Sequence, residues 1–170
     1  MSAVMQKALL LVLLLLFASC GYKPSAKYAR EVLGEKVSTS VVISQEDPEN
    51  SVLVKDAIDA ALIDVFHTSL TDRAYSDSHL VISLSNPSYT PIQYDQNGFV
   101  IAYRMTVVLG IKRYHNGEAK SYSARGYYDF AVEPNAVVTD QQRFEAIRNA
   151  AQKAIVAFVA QISSEGARGH

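Results

Sequence analysis

Residues 99–131 read FVIAYRMTVVLGIKRYHNGEAKSYSARGYYDFA. Near the middle stands Asn116-Gly117, a pair suited to the positive backbone angles of a two-residue hairpin turn. Two long strands are therefore expected, Phe99 to Tyr114 and Glu118 to Ala131. With His115 and Glu118 flanking the turn, Ile111 faces Tyr122, Leu109 faces Ala124, Met105 faces Tyr128 and Tyr103 faces Phe130. Those pairs make one apolar face. The same register sets Arg104 opposite Asp129, Val108 opposite Arg125 and Thr106 opposite Tyr127 on the other face, where opposite charges gain modestly from pairing. A slip by one residue would exchange the two faces, so their joint consistency supports the register. Gly110 and Gly126 interrupt the strands, and glycine there marks a bend or a close approach by another backbone or a lipid chain.

Upstream, Lys36 to Ser44 alternates Val37, Thr39, Val41 and Ile43 against Ser38, Ser40 and Val42, the pattern of a half-buried strand. Asp47-Pro48-Glu49 is a helix start: aspartate caps free N–H groups, proline is tolerated at the first helical position, and an acid suits the positive end. That helix is expected to about Leu70, with Val54, Ile58, Ala61, Leu62, Val65 and Phe66 as its apolar stripe and Lys55, Asp59 and Asp64 facing water. His79 to Ser85 is a second strand, stopped by Asn86-Pro87. Ser88 to Gly98, with Pro91 inside and Asn97-Gly98 at its end, reads as a loop.

Downstream of the hairpin, Thr139 and Asp140 are alternative caps, with Gln142 at capping-box spacing from Thr139, for a last helix to about Ser163. Phe144, Ile147, Ala151, Ala154, Ile155, Phe158, Val159 and Ile162 form its buried stripe. The order is strand, helix, strand, strand, strand, helix. The expected fold class is α+β, a two-layer sandwich of a four-stranded sheet with two helices packed on one face.

The N-terminus sets the location. After Lys7, the apolar run Ala8 to Phe17 has the length of a signal-peptide core and is too short to span a bilayer, which needs roughly twenty residues. It ends in Phe17-Ala18-Ser19-Cys20-Gly21, a lipobox, and Cys20 is the single cysteine among 170 residues. An intramolecular disulfide is thereby excluded, and lipidation of Cys20 is expected. Buried acyl chain contributes about 0.8 kcal/mol per methylene, so several chains hold a protein on its membrane almost permanently. Gly21, where an inner-membrane lipoprotein commonly has aspartate, points to the outer membrane. The expected organisation is a signal peptide over 1–19, a lipid-anchored tether over 20–35 with room for one helical turn around Tyr28 to Leu33, and a single α+β domain over 36–165.

The formal charge of −1 argues against a nucleic-acid partner. Four histidines, His67, His79, His115 and His170, are scattered without metal-ligand spacing. There is no phosphate-binding glycine loop and no G-x-S-x-G turn, while Asp56, Asp59 and Asp64 fit a solvated helix face. No enzyme, metal or cofactor is expected.

Cys20-Gly21-Tyr22-Lys23-Pro24, followed by this element order, resembles the LPS-assembly lipoprotein family, LptE. The resemblance implies a lipid-anchored protein of the outer membrane. It would act as plug and folding partner of the LPS translocon barrel, LptD, and bind lipopolysaccharide. The candidate contacts for lipopolysaccharide or barrel are Arg104, Lys112, Arg125 and Tyr127 on the polar face, with Lys120 beside the turn extending it. The alternative is an auxiliary lipoprotein of another envelope lipid-transport or efflux complex.

Overall fold

The computed structural model describes residues 25–42, 52, 55, 56, 58–60, 62, 63, 69–85, 87–134 and 136–168. The lipobox with Cys20, the helix start at Asp47 and the side chain of Phe66 lie outside them.

Helix α1 is Ser25–Leu33 and strand β1 is Lys36–Val42. Strand β2, Ser69–Leu70, precedes a short 3-10 turn at Arg73–Tyr75. Strands β3, β4, β5 and β6 span Ser78–Leu84, Ser88–Tyr94, Val100–His115 and Glu118–Ala131, and helix α2 spans Asp140–Arg168. Between β1 and β2, the described residues 52, 55, 56, 58–60, 62 and 63 are helical.

The hairpin is the spine of the sheet. Asn116 and Gly117 take φ of 49° and 81°, as a two-residue turn joining right-twisted strands requires. Every cross-strand pair expected from the sequence is present, and the register runs unbroken from His115–Glu118 to Ala102–Ala131. The other edge of β5 is shared. Its second half pairs antiparallel with β3 and its first half with β4. Beyond β3, β1 runs parallel to it, and β2 runs parallel to β1.

The helices all lie on the apolar side. Val37, Leu80, Ile82, Met105, Leu109, Ile111 and Ala124 of the sheet meet Ile58 and Leu62, α1 through Ala29 and Leu33, and α2 through Ile147 to Ile162 in one core. Of the two candidate caps Thr139 is the one used: its amide donates to Gln142 Oε1 at 3.1 Å and the Gln142 amide donates to Thr139 Oγ1 at 3.2 Å, a capping box.

Four expectations change. The sheet has six strands, not four. The segment read as a loop after Pro87 contains β4, whose residues are all exposed and whose pairing shifts register on both sides of Gln93. Proline is compatible with such an edge strand because one side of its backbone needs no ladder partner. Ser69 and Leu70 pair with Lys36 and Val37 rather than ending a helix.

Finally, the tether expected through residue 35, with one helical turn around Tyr28 to Leu33, gives way to a longer, packed helix from Ser25. Ala29 and Leu33 are buried, Gly34 ends the helix at φ 82°, and its amide donates to the Arg30 carbonyl at 2.7 Å. Asp77 Oδ2 then accepts from the Glu35 and Lys36 amides, each at 2.9 Å, locking α1 to the start of β1.

Candidate functional site

With the helices on one side, alternate residues of the strands project from the other into the open. The open face carries Arg104, Thr106, Lys112 and Tyr114 from β5, and Ser121, Ser123, Arg125, Tyr127 and Asp129 from β6, in the register fixed by the turn. Four of the five residues singled out from the sequence, Arg104, Lys112, Arg125 and Tyr127, lie on this face.

Arg104 is committed. Its Nε donates to Asp129 Oδ1 at 2.7 Å and its Nη2 to Oδ2 at 2.8 Å, a two-bond fork, while its Cζ lies 5.7 Å from the Tyr127 ring centroid. The guanidinium hydrogen bonds hold the Asp129 carboxyl below its usual range, and the carboxylate raises Arg104 in return. Lys112 has no acid beside it among the described residues, and its ammonium sits 5.4 Å over the Tyr114 ring. Arg125, across from Val108, has no hydrogen bond or ion pair among the described residues. Two cations on this face are therefore free to meet an external anion.

Lys120 is on the opposite side. It shares the parity of Tyr122 and Ala124, and its Nζ bonds Glu165 Oε2 of α2 at 2.8 Å. The expectation that it extends the open face is thus corrected. Glu165 also accepts from the Tyr122 hydroxyl at 2.8 Å and faces Arg113 at 3.5 Å. Burial, with the Glu165 hydrogen bond, pushes the Tyr122 phenol up to about 12. Burial opposes ionisation of Glu165, but the bonds from Lys120 and Tyr122 and the nearby positive charges outweigh it and lower its pKa. Beside this network an open cleft of about 570 Å³ runs between Lys120 and Tyr122 on β6 and Ala160, Gln161 and Ser164 on α2. No pattern in the residues announces it, because Glu165 lies past the expected end of the last helix.

On β3, His79 is 7% exposed, with Nδ1 2.7 Å from Ser38 Oγ and Nε2 3.2 Å from Ser40 Oγ. Among the described residues no group of three or more His, Cys, Asp or Glu is placed to hold a metal ion. No helix among them is long and apolar enough to cross a membrane.

Residues 38–162, from β1 into α2, match the family model described as lipopolysaccharide-assembly, LptE. The chain belongs to the LptE family. Its role therefore lies in lipopolysaccharide assembly in the cell envelope. Solved structures share the LptE-family fold. Rare lipoprotein B from Shewanella oneidensis matches with a TM-score of 0.51 at 16% identity, covering 79% of this chain and 99% of that one. A lipoprotein from Caulobacter crescentus matches with a TM-score of 0.53 at 10% identity, covering 84% and 98%. Lipoprotein B from Nitrosomonas europaea matches with a TM-score of 0.50 at 10% identity, covering 80% and 88%. At these identities the likeness is one of fold. No curated protein matches the sequence significantly.

Proposed function

We propose that this LptE-family chain is anchored in the outer membrane by acyl chains on Cys20. In this reading it acts as plug and folding partner of an LptD-type translocon barrel, and its open sheet face meets lipopolysaccharide or acidic groups of the barrel lumen. The observation that carries this reading is the division of the sheet. Three helical segments bury one side, while the other presents Lys112 and Arg125 unpaired among threonine, serine and tyrosine side chains. Lipid A carries phosphates, and guanidinium binds phosphate through paired, charge-assisted hydrogen bonds.

The test is the double variant Lys112→Glu/Arg125→Glu, confirmed as folded by its melting curve. Lipopolysaccharide binding and recovery of the barrel are measured at low and moderate salt. Loss of either in the variant, with wild-type binding that weakens as salt screens exposed charges, is the expected result. Unchanged binding and recovery in the folded variant would remove this face from the mechanism.

A further inference from the structure

Each edge of a sheet is an open template for another strand unless something blunts it. Here the edges are treated differently. β2, at one side, is two residues long. β4 carries Pro91 and two register shifts. β6 has neither defence: fourteen residues pair with β5 without a shift or a proline, and among the described residues no strand lies beyond it.

The direction of the backbone groups follows from the ladder. The Val132 amide donates to the Ile101 carbonyl at 3.0 Å, and the Ser85 amide to the Val108 carbonyl at 3.0 Å. Odd residues of β5 and even residues of β6 therefore exchange hydrogen bonds within the hairpin. The odd residues of β6, Ser121, Ser123, Arg125, Tyr127 and Asp129, turn their N–H and C=O groups outward. One of these is already engaged by a side chain: Gln161 Nε2 of α2 donates to the Ser123 carbonyl at 2.9 Å, the bond a neighbouring strand would make.

The cleft described above adjoins the first part of this edge, between Lys120 and Tyr122 of β6 and residues 160–168 of α2. An edge strand with a helix beside it is the arrangement in which extended peptides add as a further strand. Charge selects the occupant. Arg125 stands unpaired on the edge and Asp129 is held by Arg104. Arg168 lines the cleft with its guanidinium bonded to the neutral Ser164 carbonyl and hydroxyl, while Lys120 is already bonded to Glu165.

We propose that β6 and α2 form a strand-accepting groove whose occupant is an extended, acidic segment of a partner protein, laid along β6 with carboxylates near Arg125 and Arg168. The inference stands apart from the reading of the open face, since it uses the backbone edge rather than Lys112 and requires no barrel.

The probe is a fluorescent, end-capped nonapeptide alternating glutamate and valine, compared with a peptide of equal charge in which every second residue is proline and no ladder can form. Fluorescence anisotropy reads binding, and amide hydrogen exchange reads its place. The alternating peptide should bind, slowing exchange at Ser121, Ser123, Arg125 and Tyr127 about tenfold or more, while the already bonded even amides stay unchanged. The proline peptide should bind at least tenfold more weakly. Ser123→Pro removes an outward N–H and no hairpin bond, and Ala160→Trp fills the cleft from an exposed position. Each should abolish the new protection in a domain whose remaining amides exchange as in wild type.

Equal binding of both peptides would show charge attraction alone and overturn the inference. So would outward amides that become protected with rising protein concentration and no peptide, because the occupant would then be a second copy. Retained peptide protection in folded Ala160→Trp would overturn it as well, whatever the fate of Ser123→Pro.

Discussion

The carbonyl oxygen of Ala150 occupies the space where a side chain on Gly126 would begin: a Cβ placed there lies 2.0 Å from that oxygen and 2.4 Å from the Ala154 amide nitrogen. Of the two readings open for this glycine, the close approach of another backbone is the one realised, and that backbone is the protein's own last helix. Ala150, Ala151 and Ala154 are all fully buried, so small residues on the helix meet a missing side chain on the strand. Gly126→Ala should therefore push α2 off the sheet and cost about 3 kcal/mol or slightly more, the upper part of the range for overpacking. Gly110→Ala meets only the Ser83 hydroxyl at 2.7 Å on the open face, where a side chain can turn away. Thermal melts of the two variants should place Gly126→Ala well below Gly110→Ala, and the reverse order would contradict the helix placement.

Phe158 is 2% exposed and meets the Tyr122 ring edge-on at a centroid separation of 5.5 Å. Its truncation to alanine should cost about 3 to 5 kcal/mol, as aromatic truncation in a core does. Asp59 provides the contrast. The helical period assigns it to water, but its carboxylate accepts from the Thr39 hydroxyl of β1 and from Lys55. Asp59→Ala is thus expected to cost about 1 kcal/mol through the lost hydrogen bond rather than nothing. Denaturant melts that ranked Asp59→Ala as the worse variant would place the 52–63 segment in a different phase on the sheet.

The hairpin was legible because two independent signals coincide there: Asn116-Gly117 sets the turn, and alternation of apolar side chains over fourteen pairs admits one register. β4 lacked the second signal. An edge strand with no buried residue leaves no alternation to read, and Pro91 looks like a loop residue until the edge is known. α1 was legible only as one turn around Tyr28 to Leu33: its nine residues bury only Ala29 and Leu33 among those whose burial is described, too few for a periodic stripe. Its docking partner, Gly166, whose added Cβ would stand 2.4 Å from the Tyr28 carbonyl, lies in a tail that the apolar pattern of the last helix does not reach. The side of Lys120 was readable from the register, since it shares the parity of Tyr122, but nearness to the turn suggested otherwise. Arg104, Lys112, Arg125 and Tyr127 were placed correctly on one face because pleat parity alone decides that.

Cys20 lies five residues before the first residue of α1, so the lipid is expected to act from outside the packed body. Cys20→Ala should leave the fold unchanged while preventing acylation, giving an uncleaved or unanchored species. Metabolic labelling with a clickable fatty acid checks this directly: wild type should carry the label and the variant should not. Label retained on Cys20→Ala would place the acyl group elsewhere.

His79 makes stability depend on pH in a direction that can be worked out. Burial pushes its imidazole below the ordinary value, and the charge of Arg73 pushes the same way. Ser38 and Ser40 hydroxyls can each donate or accept, so both contacts tolerate either ring state. What disfavours protonation is the loss of water around the ring and the neighbouring cation, not a broken hydrogen bond. The unfolded chain, with an ordinary histidine near about 6.5, binds the proton first. Stability from this residue is therefore fully present above about pH 6.5 and is lost as pH falls from there towards the lower folded value. Carboxylates held low in the fold, Asp77 among them, add their own losses at more acidic pH. The histidine contribution is best isolated as the difference between wild type and His79→Gln. Melting temperatures measured from pH 7.5 to pH 5 should fall more steeply for wild type, with the gap between the two narrowing as the pH drops. Parallel curves would mean that His79 titrates alike in the folded and unfolded chains, and that its burial between Ser38 and Ser40 has no bearing on acid stability.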